Sequence, residues 1–394
     1  MKKKVIVVGV TGGIAAYKSA QLVSNLVKKE YEVHVIMTSN ATEFVTPLTF
    51  EVLSNNKVAV DTFDRNFDYN VNHVSLAKKA DLFVVAPATA NVLAKFAGGI
   101  ADDMLTTSYL AFKCPTLVAP AMNTAMLEHA ATRRNIEVLR ADGVHFVSSG
   151  IGYLACGDVG AGRLADIGDI EDKIEQLLFT TKTLANKKIV ITAGPTQEAI
   201  DPVRFISNHS SGKMGYALAK AARNLGAEVV LITGPTNLEP LRGVAVVQVT
   251  SAMEMYHVAK KHCDFDIFIA AAAVSDYRPA EYKSEKVKRG KTDEIMITLM
   301  QNEDIVAIMA KNKNVSQKVV AFAMETQSLV ENAQRKLIDK QVDMVVANDL
   351  TEIGAGFKGD TNKVTIVTPG NTELLALMSK DALALEILDR VVEL

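Results

Sequence analysis

The segment YLACGDVGAGRL, residues 153–164, places a lone thiol, Cys156, among several glycines. Glycine-rich segments lose much conformational entropy on ordering and commonly act as flaps that close over a ligand. A free cysteine more often packs as a small hydrophobic side chain, which suits Cys114 and Cys263, each in or beside an apolar segment. Because the neighbours of Cys156 cannot build a core around it, we expect its thiol on a closing loop.

A histidine offers a second chemically useful group. His73 lies in VNHVSLAKKAD, between Asn72 and the start of a predicted helix. The unperturbed pKa of histidine, about 6.5, suits proton transfer at neutral pH. A partly exposed histidine that caps the helix is the alternative, and the residue types alone leave it open.

Two turns have the composition of phosphate-binding loops. The first contains Gly9, Gly12 and Gly13, which is not the GxGxxG spacing of a dinucleotide site. The second, SSGKMG at residues 210–215, resembles a Walker A loop but lacks its first glycine and the Ser or Thr after the lysine. Both spacings are weak fingerprints, and an ordinary strand-to-helix turn is an equal alternative.

The residues after the second strand of each half argue further against a dinucleotide. A dinucleotide site places a carboxylate there for the ribose, but residues 37–40 read MTSN and residues 234–236 read GPT. Hydroxyls and backbone N–H groups suit a phosphate monoester, such as that of flavin mononucleotide. The pattern disfavours a nucleotide-sugar or NAD oxidoreductase with two Rossmann-like halves.

The elements that position these groups repeat twice along the chain. KVIVVGV, a helix and EVHVIMT form a βαβ unit, and LFVVAP, TLVAPAM and VHFVSS continue a parallel sheet. The first helix places these side chains on one face: Ala16, Ala20, Val23 and Val27. After a polar linker, TTKTLANKK, the pattern restarts with KIVITAGP, and IFIAAAA, VVAFAME and MVVAND extend the second sheet. We predict an α/β protein with two doubly wound, Rossmann-like domains, residues 1–180 and 187–394.

Composition excludes several classes of partner. The 394 residues carry a net charge of -2 and no long basic run, so no nucleic acid partner is expected. MKKKVIVVGVTGG reads as a first strand and not as a signal peptide, and no apolar stretch reaches the roughly 20 residues of a membrane helix. The cysteine spacing supports neither a disulfide framework nor a zinc site. We expect a soluble, cytoplasmic protein without a membrane partner.

Several longer segments resemble known enzyme families. VNHVSLAKKAD, PATAN at residues 87–91, APAMNTAM at 119–126 and LACGDVGAGRL resemble the flavoprotein cysteine decarboxylases. AGPTQEAIDPVRFISNHSSGKMG, AAAVSDY and EKVKRGK resemble phosphopantothenate-cysteine ligases. Their order, over nearly the whole chain, is similar to that in the bacterial bifunctional enzymes of coenzyme A biosynthesis, in which a phosphopantothenoylcysteine decarboxylase precedes the ligase.

This resemblance implies two consecutive reactions on small molecules. The second half would activate 4'-phosphopantothenate with CTP and Mg2+ as an acyl-cytidylate, from which the amine of cysteine displaces CMP. The first half, flavodoxin-like in fold, would use FMN to decarboxylate the cysteinyl product to 4'-phosphopantetheine. The family also implies self-association, with trimeric decarboxylase contacts and dimeric ligase contacts that combine into a dodecamer.

For the first half, the resemblance assigns catalysis to His73, Asn123 and Cys156. Asn123 would hydrogen-bond the substrate carboxylate, with a helix N-cap as its alternative role. Cys156 would protonate the enethiolate left after CO2 departs. The residues matched to FMN binding are Gly12, Gly13, Ile14, Ser39, Thr89 and Asn91. The residues matched to the flavin site of a neighbouring subunit are Asp102, Asp103, Met104 and Leu105. A flavoprotein that only binds partners is the rival, and the complete catalytic set disfavours it.

For the second half, the resemblance assigns turnover of the acyl-cytidylate to Asn208. The residues matched to the substrate phosphate are Ser211, Gly212 and Lys213. The residues matched to CTP are Ala271, Ala272, Ala273, Asp276, Lys286, Asp304, Ile305, Val306, Phe322, Lys336 and Lys340. Three alternatives stay open: a helix N-cap for Asp276, core packing for Phe322, and a solvated helix face for the lysine pair. No spacing indicates the ligands of Mg2+ or the choice of nucleotide base.

Overall fold

The computed structural model describes residues 3–63, 72–153, 157, 159–179, 182–288, 296–325, 328–349 and 359–394. Its internal contacts divide the chain into two compact units, residues 1–180 and 181–394. Each unit is built on a β-sheet with helices on its faces, and each is described separately below.

The first unit alternates strands and helices. Its strands are β1 (Val5–Val10), β2 (Glu32–Met37), β3 (Leu82–Ala88), β4 (Thr116–Pro120), β5 (His145–Phe146), β6 (Gly150–Tyr153) and β7 (Val159–Arg163). Its helices are α1 (Ala16–Lys28), α2 (Ser39–Thr42), α3 (Pro47–Ser54), α4 (Asn72–Lys79), α5 (Ala90–Gly98), α6 (Met104–Ala111), α7 (Thr124–Glu128), α8 (Ala130–Ala141) and α9 (Ile167–Leu178). Within the described residues, β2-β1-β3-β4-β5 form a five-stranded parallel sheet. This strand order is that of flavodoxin, so the predicted fold class is confirmed.

The core of this unit lies on both faces of the sheet. Ile6 and Val8 pack with one apolar cluster, whereas Val7 packs with the other. Every residue of β1 is buried, as expected for a parallel strand covered by helices on both sides. The predicted face of α1 is confirmed: Ala16 and Val23 are buried, and Ala20 and Val27 pack against the same cluster. Leu22 and Leu26, which were not named for this face, are also buried.

The second unit continues the numbering of elements. Its strands are β8 (Lys188–Ala193), β9 (Gln197–Ala199), β10 (Phe205–Ser207), β11 (Glu228–Thr233), β12 (Ala245–Gln248), β13 (Ile267–Ala270), β14 (Tyr277–Pro279), β15 (Leu299–Gln301), β16 (Lys318–Glu325), β17 (Met344–Asp349), β18 (Thr361–Asn362), β19 (Val364–Thr368), β20 (Asn371–Leu374) and β21 (Met378–Ser379). Its helices are α10 (Lys213–Asn224), α11 (Ala252–Lys261), α12 (Ile305–Asn312), α13 (Leu329–Asp339) and α14 (Lys380–Val392).

Among the described residues of this unit, an eight-stranded sheet runs in the order β12-β11-β8-β13-β16-β17-β19-β20. The first six strands are parallel and follow the order of a Rossmann fold. The predicted strands IFIAAAA, VVAFAME and MVVAND correspond to β13, β16 and β17, so this extension of the sheet is confirmed. The hairpin β19–β20 adds an antiparallel edge, which the sequence pattern did not predict.

Several local expectations were wrong. Residues 182–187 are not a free linker, because Leu184 is 1% exposed and its N–H donates to the Leu225 carbonyl at 3.0 Å. The predicted strand VHFVSS shortens to β5. The expectation of a packed small hydrophobic side chain is wrong for Cys263, which is exposed. It is confirmed for Cys114, which packs half-buried against the core, and burial raises the pKa of its thiol to about 11. Among the helices that the structure describes, none is long and apolar enough to cross a membrane.

Candidate active sites

A cavity of about 440 Å³ lies at the carboxyl ends of β1, β3 and β4 in the first unit. We call it the first cavity. Its walls are the turn after β1, the start of α5, the segment after β4 and strand β7. Ligands of open α/β sheets bind at this edge, and the volume falls in the range of about 300–1,000 Å³ usual for small-molecule sites.

The turn after β1 forms the floor of the first cavity. Gly12, Gly13 and Ile14 line it, and a β-carbon at Gly12 would overlap the backbone of Asn40. The buried hydroxyl of Thr11 donates to the Pro87 carbonyl at 2.8 Å and accepts the Thr89 N–H at 3.1 Å. This pair of hydrogen bonds joins the turns after β1 and β3. Sequence reasoning missed Thr11, although a polar residue at the end of an apolar strand was a usable signal.

The predicted flavin residues do not all reach the first cavity. Thr89 lines it and also caps α5, since its hydroxyl accepts the Val92 N–H at 3.4 Å. Ser39 and Asn91 are exposed and lie outside the lining. Ser39 begins α2 after the edge strand β2, and Asn91 lies one residue into α5, so neither borders the space between β1, β3 and β4.

Asn123 lies at the opposite wall of the first cavity. Its Oδ1 accepts the Ala125 N–H at 2.8 Å, so Asn123 caps α7 and lines the cavity at once. The segment is held against β7: the Met122 N–H donates to the Gly162 carbonyl at 2.9 Å. A β-carbon at Gly162 would overlap the Met122 carbonyl, so only glycine permits this close approach. The N-cap expectation for Asn123 is confirmed.

Other residues of the first unit fall outside the predicted pattern. Lys18 and Arg163 line the first cavity but were not predicted, although Arg163 ends the glycine-rich segment. Met104 and Leu105 are 1% and 0% exposed, and their side chains pack in this unit's own core. Their match to a neighbour's flavin site stays a prediction. Asp103 caps α6 through the Thr106 N–H, and Asp102 pairs with Lys95 at 2.7 Å.

Two predicted catalytic groups cannot be placed. The side chain of His73 and the whole of Cys156 lie outside the described residues. The strands that flank Cys156 in the sequence, β6 and β7, pair antiparallel.

The first cavity fits flavin mononucleotide. Its lining is mostly apolar, with Thr89, Asn123, Lys18 and Arg163 as polar groups, which suits a flat ring system with a polar tail. The turn leads into the N-terminus of α1, a 13-residue helix, and such an end attracts a phosphate. Gly12 lets this turn pack closely against Asn40.

A second cavity, of about 40 Å³, lies at the carboxyl ends of β13, β16 and β17 in the second unit. Ser211, Gly212 and Lys213 at the start of α10 line it. Gly212 has a φ of +78°, and a β-carbon there would approach Thr236 Cγ2 to 2.7 Å. Glycine is therefore required, and it lets the backbone of the helix N-terminus face this space.

The second cavity is positively charged. Lys213 and Lys380 line it, and no carboxylate is present among the described residues of the lining. Burial and the neighbouring Lys213 lower the pKa of Lys380. Lys213 forms an ion pair of 2.6 Å with Asp360, which does not line this cavity. A small lysine-lined space at a helix N-terminus suits a phosphate group.

Four residues matched to CTP lie near one another, and one of them, Phe322, lines the second cavity. Lys336 Nζ donates to the Phe322 carbonyl at 2.7 Å, and Lys340 Nζ pairs with Asp304 at 2.9 Å. Both lysines are partly buried, so the alternative that they lie on a fully solvated helix face was wrong. Phe322 is half-buried and lines the cavity rather than only packing in the core. Ile305 is buried in the core, so its side chain does not face a nucleotide.

The segment after β13 carries further predicted residues. Ala271 lines the second cavity, whereas Ala272 and Ala273 follow it half-buried. Asp276 is exposed and precedes strand β14, so the helix N-cap expected as its alternative was wrong. Asn208 Nδ2 donates to the Val274 carbonyl at 2.9 Å, which joins strand β10's end to this segment.

Other predicted groups of the second unit are more peripheral. Val306 is half-buried at the start of α12, and Lys286 is exposed and does not line the second cavity. Among the described residues, no three His, Cys, Asp or Glu side chains cluster as metal ligands. A magnesium site held by these residues alone therefore does not fit.

One unit has a ligand-sized cavity, and the other has a lysine-lined cavity at a helix N-terminus. Together these features define a two-domain α/β enzyme of the doubly wound class. A family model described as Flavoprotein matches residues 1–179, and the DNA/pantothenate metabolism flavoprotein C-terminal domain matches residues 184–394.

Full-length relatives agree with this division. The chain is 45% identical over 390 residues to the coenzyme A biosynthesis bifunctional protein CoaBC of Vibrio vulnificus strain YJ016, covering 98% of this chain and 97% of that protein. It is 46% identical over 391 residues to CoaBC of Bacillus subtilis strain 168, covering 98% and 96%. It is also 44% identical over 359 residues to a cysteine/cysteine sulfinic acid decarboxylase from an unknown prokaryotic organism, covering 89% and 99%.

The chain belongs to the family of coenzyme A biosynthesis bifunctional proteins. It is a bifunctional enzyme with decarboxylase and ligase activities, acting on small molecules. The resemblance drawn from the sequence motifs is thereby confirmed.

Proposed function

We propose that the second unit joins cysteine to 4'-phosphopantothenate with CTP, and that the first unit decarboxylates the product to 4'-phosphopantetheine with FMN. The observation that carries this proposal is the pair of unlike sites, one at the carboxyl edge of each sheet. The first cavity is large and mostly apolar, as a flavin requires. The second cavity is small and lysine-lined, as a phosphate requires.

In the ligase reaction, a carboxylate oxygen of 4'-phosphopantothenate attacks the α-phosphorus of CTP, and pyrophosphate leaves. We assign binding of the CTP phosphates to Lys286, Lys336 and Lys340, because cations placed where charge develops lower the barrier. The phosphate of 4'-phosphopantothenate is assigned to Ser211, Gly212 and Lys213 at the N-terminus of α10. Mg2+ would enter bound to the triphosphate, since the described residues offer no site of their own.

The cysteine amine then attacks the acyl carbon of the cytidylate, and CMP leaves. Asn208 is the residue we assign to this step. An amide has two N–H donors; one donates to the Val274 carbonyl, and the other would stabilise the oxyanion that forms on the acyl group. The hydrogen bond to Val274 fixes the orientation that this role needs.

In the decarboxylase reaction, FMN would supply the redox chemistry when bound: two-electron oxidation of the cysteinyl thiol to a thioaldehyde gives the electrons left by CO2 a place to go, and the same two electrons later reduce the resulting enethiolate. Asn123 would hold the substrate carboxylate at the wall of the first cavity, because an amide orients a carboxylate without an ion pair that opposes its departure. His73 and Cys156 remain proposals from the sequence for proton transfer, with Cys156 protonating the enethiolate. We also propose that the chain self-associates through trimeric decarboxylase contacts and dimeric ligase contacts, which together build a dodecamer. The enzyme would act in the cytoplasm.

The test is a reconstitution with the full chain. The visible spectrum of purified protein is recorded first, and bound flavin is expected. The protein is then incubated with CTP, Mg2+, cysteine and 4'-phosphopantothenate. Pyrophosphate release that requires 4'-phosphopantothenate, followed by CO2 release, is expected.

Two control arms sharpen this test. ATP in place of CTP tests the nucleotide, and free cysteine alone tests the activity named for the cysteine decarboxylase relative. Flavin-free protein, or pyrophosphate release without 4'-phosphopantothenate, would overturn the proposal. If CO2 is released from free cysteine as fast as in the coupled reaction, the first unit is instead a decarboxylase of free cysteine.

A further inference from the structure

The hairpin β9–β10 of the second unit turns at a buried carboxylate. Asp201 is 2% exposed, and its Oδ1 accepts the backbone N–H groups of Val203 and Arg204, each at 2.8 Å. These two hydrogen bonds form a local turn that closes the hairpin. A carboxylate is not needed for that purpose, because asparagine closes such turns equally well.

The second oxygen of Asp201 reaches a distant segment. Its Oδ2 accepts the Val287 N–H at 3.1 Å and lies 3.3 Å from the Arg204 guanidinium. The same Arg204 donates to the Val287 carbonyl at 3.1 Å. Both backbone groups of Val287 are therefore held by one ion pair of the hairpin.

Val287 directly follows Lys286, a lysine predicted to bind the triphosphate. Lys286 and Lys288 flank it, and the side chains of both are exposed. The segment has little apolar cover of its own, and its other described anchor is the Lys283 N–H, which donates to the Ile200 carbonyl at 3.0 Å. Backbone hydrogen bonds to the hairpin, more than side-chain packing, fix where Lys286 lies.

The hairpin also holds the segment assigned to acyl transfer. Asn208, just after β10, donates to the Val274 carbonyl, and Thr196, just before β9, accepts the Ser275 N–H at 3.0 Å. One hairpin thus fixes the segment of Lys286 on one side and residues 274–275 on the other. The hairpin therefore positions residues that we assign to both proposed half-reactions of the ligase.

We infer that Asp201 is a positioning residue of the CTP-dependent step, which holds Lys286 in register through Val287. This inference rests on the proposed function. Both oxygens of a charged carboxylate can accept hydrogen bonds, whereas an amide accepts with one side only. The charge of Asp201 is therefore needed for the distant segment and not for the turn.

The test replaces Asp201 by asparagine in the full chain. In Asp201→Asn, the amide oxygen can keep the two N–H groups of the turn, and the NH2 group then faces the Val287 N–H and Arg204, which are both donors. The expected result is a KM for CTP that rises about tenfold, with the KM for cysteine unchanged. Arg204→Lys, at a partly exposed position, is the second variant if Asp201→Asn fails to fold, and a smaller rise in the same KM is expected.

A double-mutant cycle with Lys286→Gln tests whether the effect passes through Lys286. Lys286→Gln alone should raise the KM for CTP, and adding Asp201→Asn should raise it little further. Asp266→Asn is the matched control: its carboxylate accepts the Lys188 N–H at 2.8 Å and pairs with Lys187, at the amino end of β8. It should lower stability and leave the KM for CTP unchanged.

Three results would overturn the inference: an unchanged KM for CTP in Asp201→Asn, full additivity of the two substitutions, or an unchanged KM in Lys286→Gln. Failure of the proposed function is distinct, because wild-type protein would then release no pyrophosphate from CTP in the presence of 4'-phosphopantothenate.

Discussion

The first and second cavities differ in how their polar groups are used. Around the first cavity, Thr11, Thr89 and Asn123 hydrogen-bond backbone groups of neighbouring turns, so the wall is shaped by uncharged contacts. Beside the second cavity, Lys213 and Lys340 each pair with an aspartate. One site is set by volume and close backbone approach, and the other by charge.

This difference predicts opposite sensitivities. A volume-defined site should fail when atoms are added or a charge is introduced, and salt should affect it less, although Lys18 and Arg163 also line the first cavity. A charge-defined site should fail when a cation is removed and should weaken as ionic strength rises. The following variants test the comparison in order of decreasing effect.

Introducing a charge into the first cavity should have the largest effect. In Asn123→Asp, the carboxylate still caps α7 but repels the substrate carboxylate, so CO2 release should fall about 1,000-fold. Flavin content and the ligase rate, measured as pyrophosphate release, should stay at wild-type values. A decarboxylation rate within a few-fold of wild type would contradict the role assigned to Asn123.

Adding one carbon to the floor of the first cavity comes next. Gly12→Ala places a β-carbon against the Asn40 backbone, and displacing that backbone should weaken flavin binding about 100-fold. The amount of flavin bound per protein chain, measured by absorbance after dialysis, reports this loss of affinity. Gly98→Ala is the control, because its β-carbon would meet only Ile100 at 3.8 Å. Full flavin content in Gly12→Ala would show that the close approach of Gly12 to Asn40 does not define this site.

Removing a cation beside the second cavity should have a smaller, selective effect. Lys336→Met removes the hydrogen bond to the Phe322 carbonyl and one positive charge, so the KM for CTP should rise about tenfold. Lys336→Arg should recover part of the loss. Higher ionic strength should raise the wild-type KM for CTP and change flavin content much less. A salt-independent KM would break the contrast between the two sites.

The smallest effect concerns acid stability of the second unit. Burial alone would raise the pKa of Asp304, but the Ala307 N–H and Lys340 outweigh burial and hold the pKa below its ordinary value. The pair therefore stabilises the fold fully above the ordinary value of 3.8, and this stability is lost as pH falls through the lower folded pKa.

Asp304→Asn should remove that pH dependence. The Asp304–Lys340 ion pair contributes about 1 kcal/mol or less to the free energy of unfolding, because the pair is partly exposed and screened by solvent. Calorimetric Tm values between about pH 3 and pH 6 would measure it, with Asp360→Asn as a comparison at a more exposed pair. Parallel Tm profiles for wild type and Asp304→Asn would show that the pair does not stabilise the unit.

The strands were the most predictable part of the fold. VIVVGV and the similar runs of the second half are buried on both faces, and such runs are recognisable because parallel strands need no polar face. Errors arose where one side chain acts against its local composition. Leu184, for example, is buried and anchors a polar segment that the sequence pattern predicts to be a linker.

The candidate sites were predictable where one segment carries both the motif and the geometry. The loop SSGKMG and the segment around Asn123 are of this kind, and both lie at cavities. Groups that act across the chain were not predictable: Thr11 joins residues 76 positions away, and Asp201 reaches Val287. Their partners are separated by whole elements, so no local pattern marks them.

The sequence by itself determined two doubly wound units in order, and the motifs that identify a decarboxylase followed by a ligase. The tertiary structure decided which motif residues share a cavity, which lysines are paired, and which carboxylate holds a distant segment. The physical reason is that burial patterns and turn chemistry act over a few neighbouring residues. Cavities and ion pairs depend on side chains that only the folded sheet brings within a few ångströms.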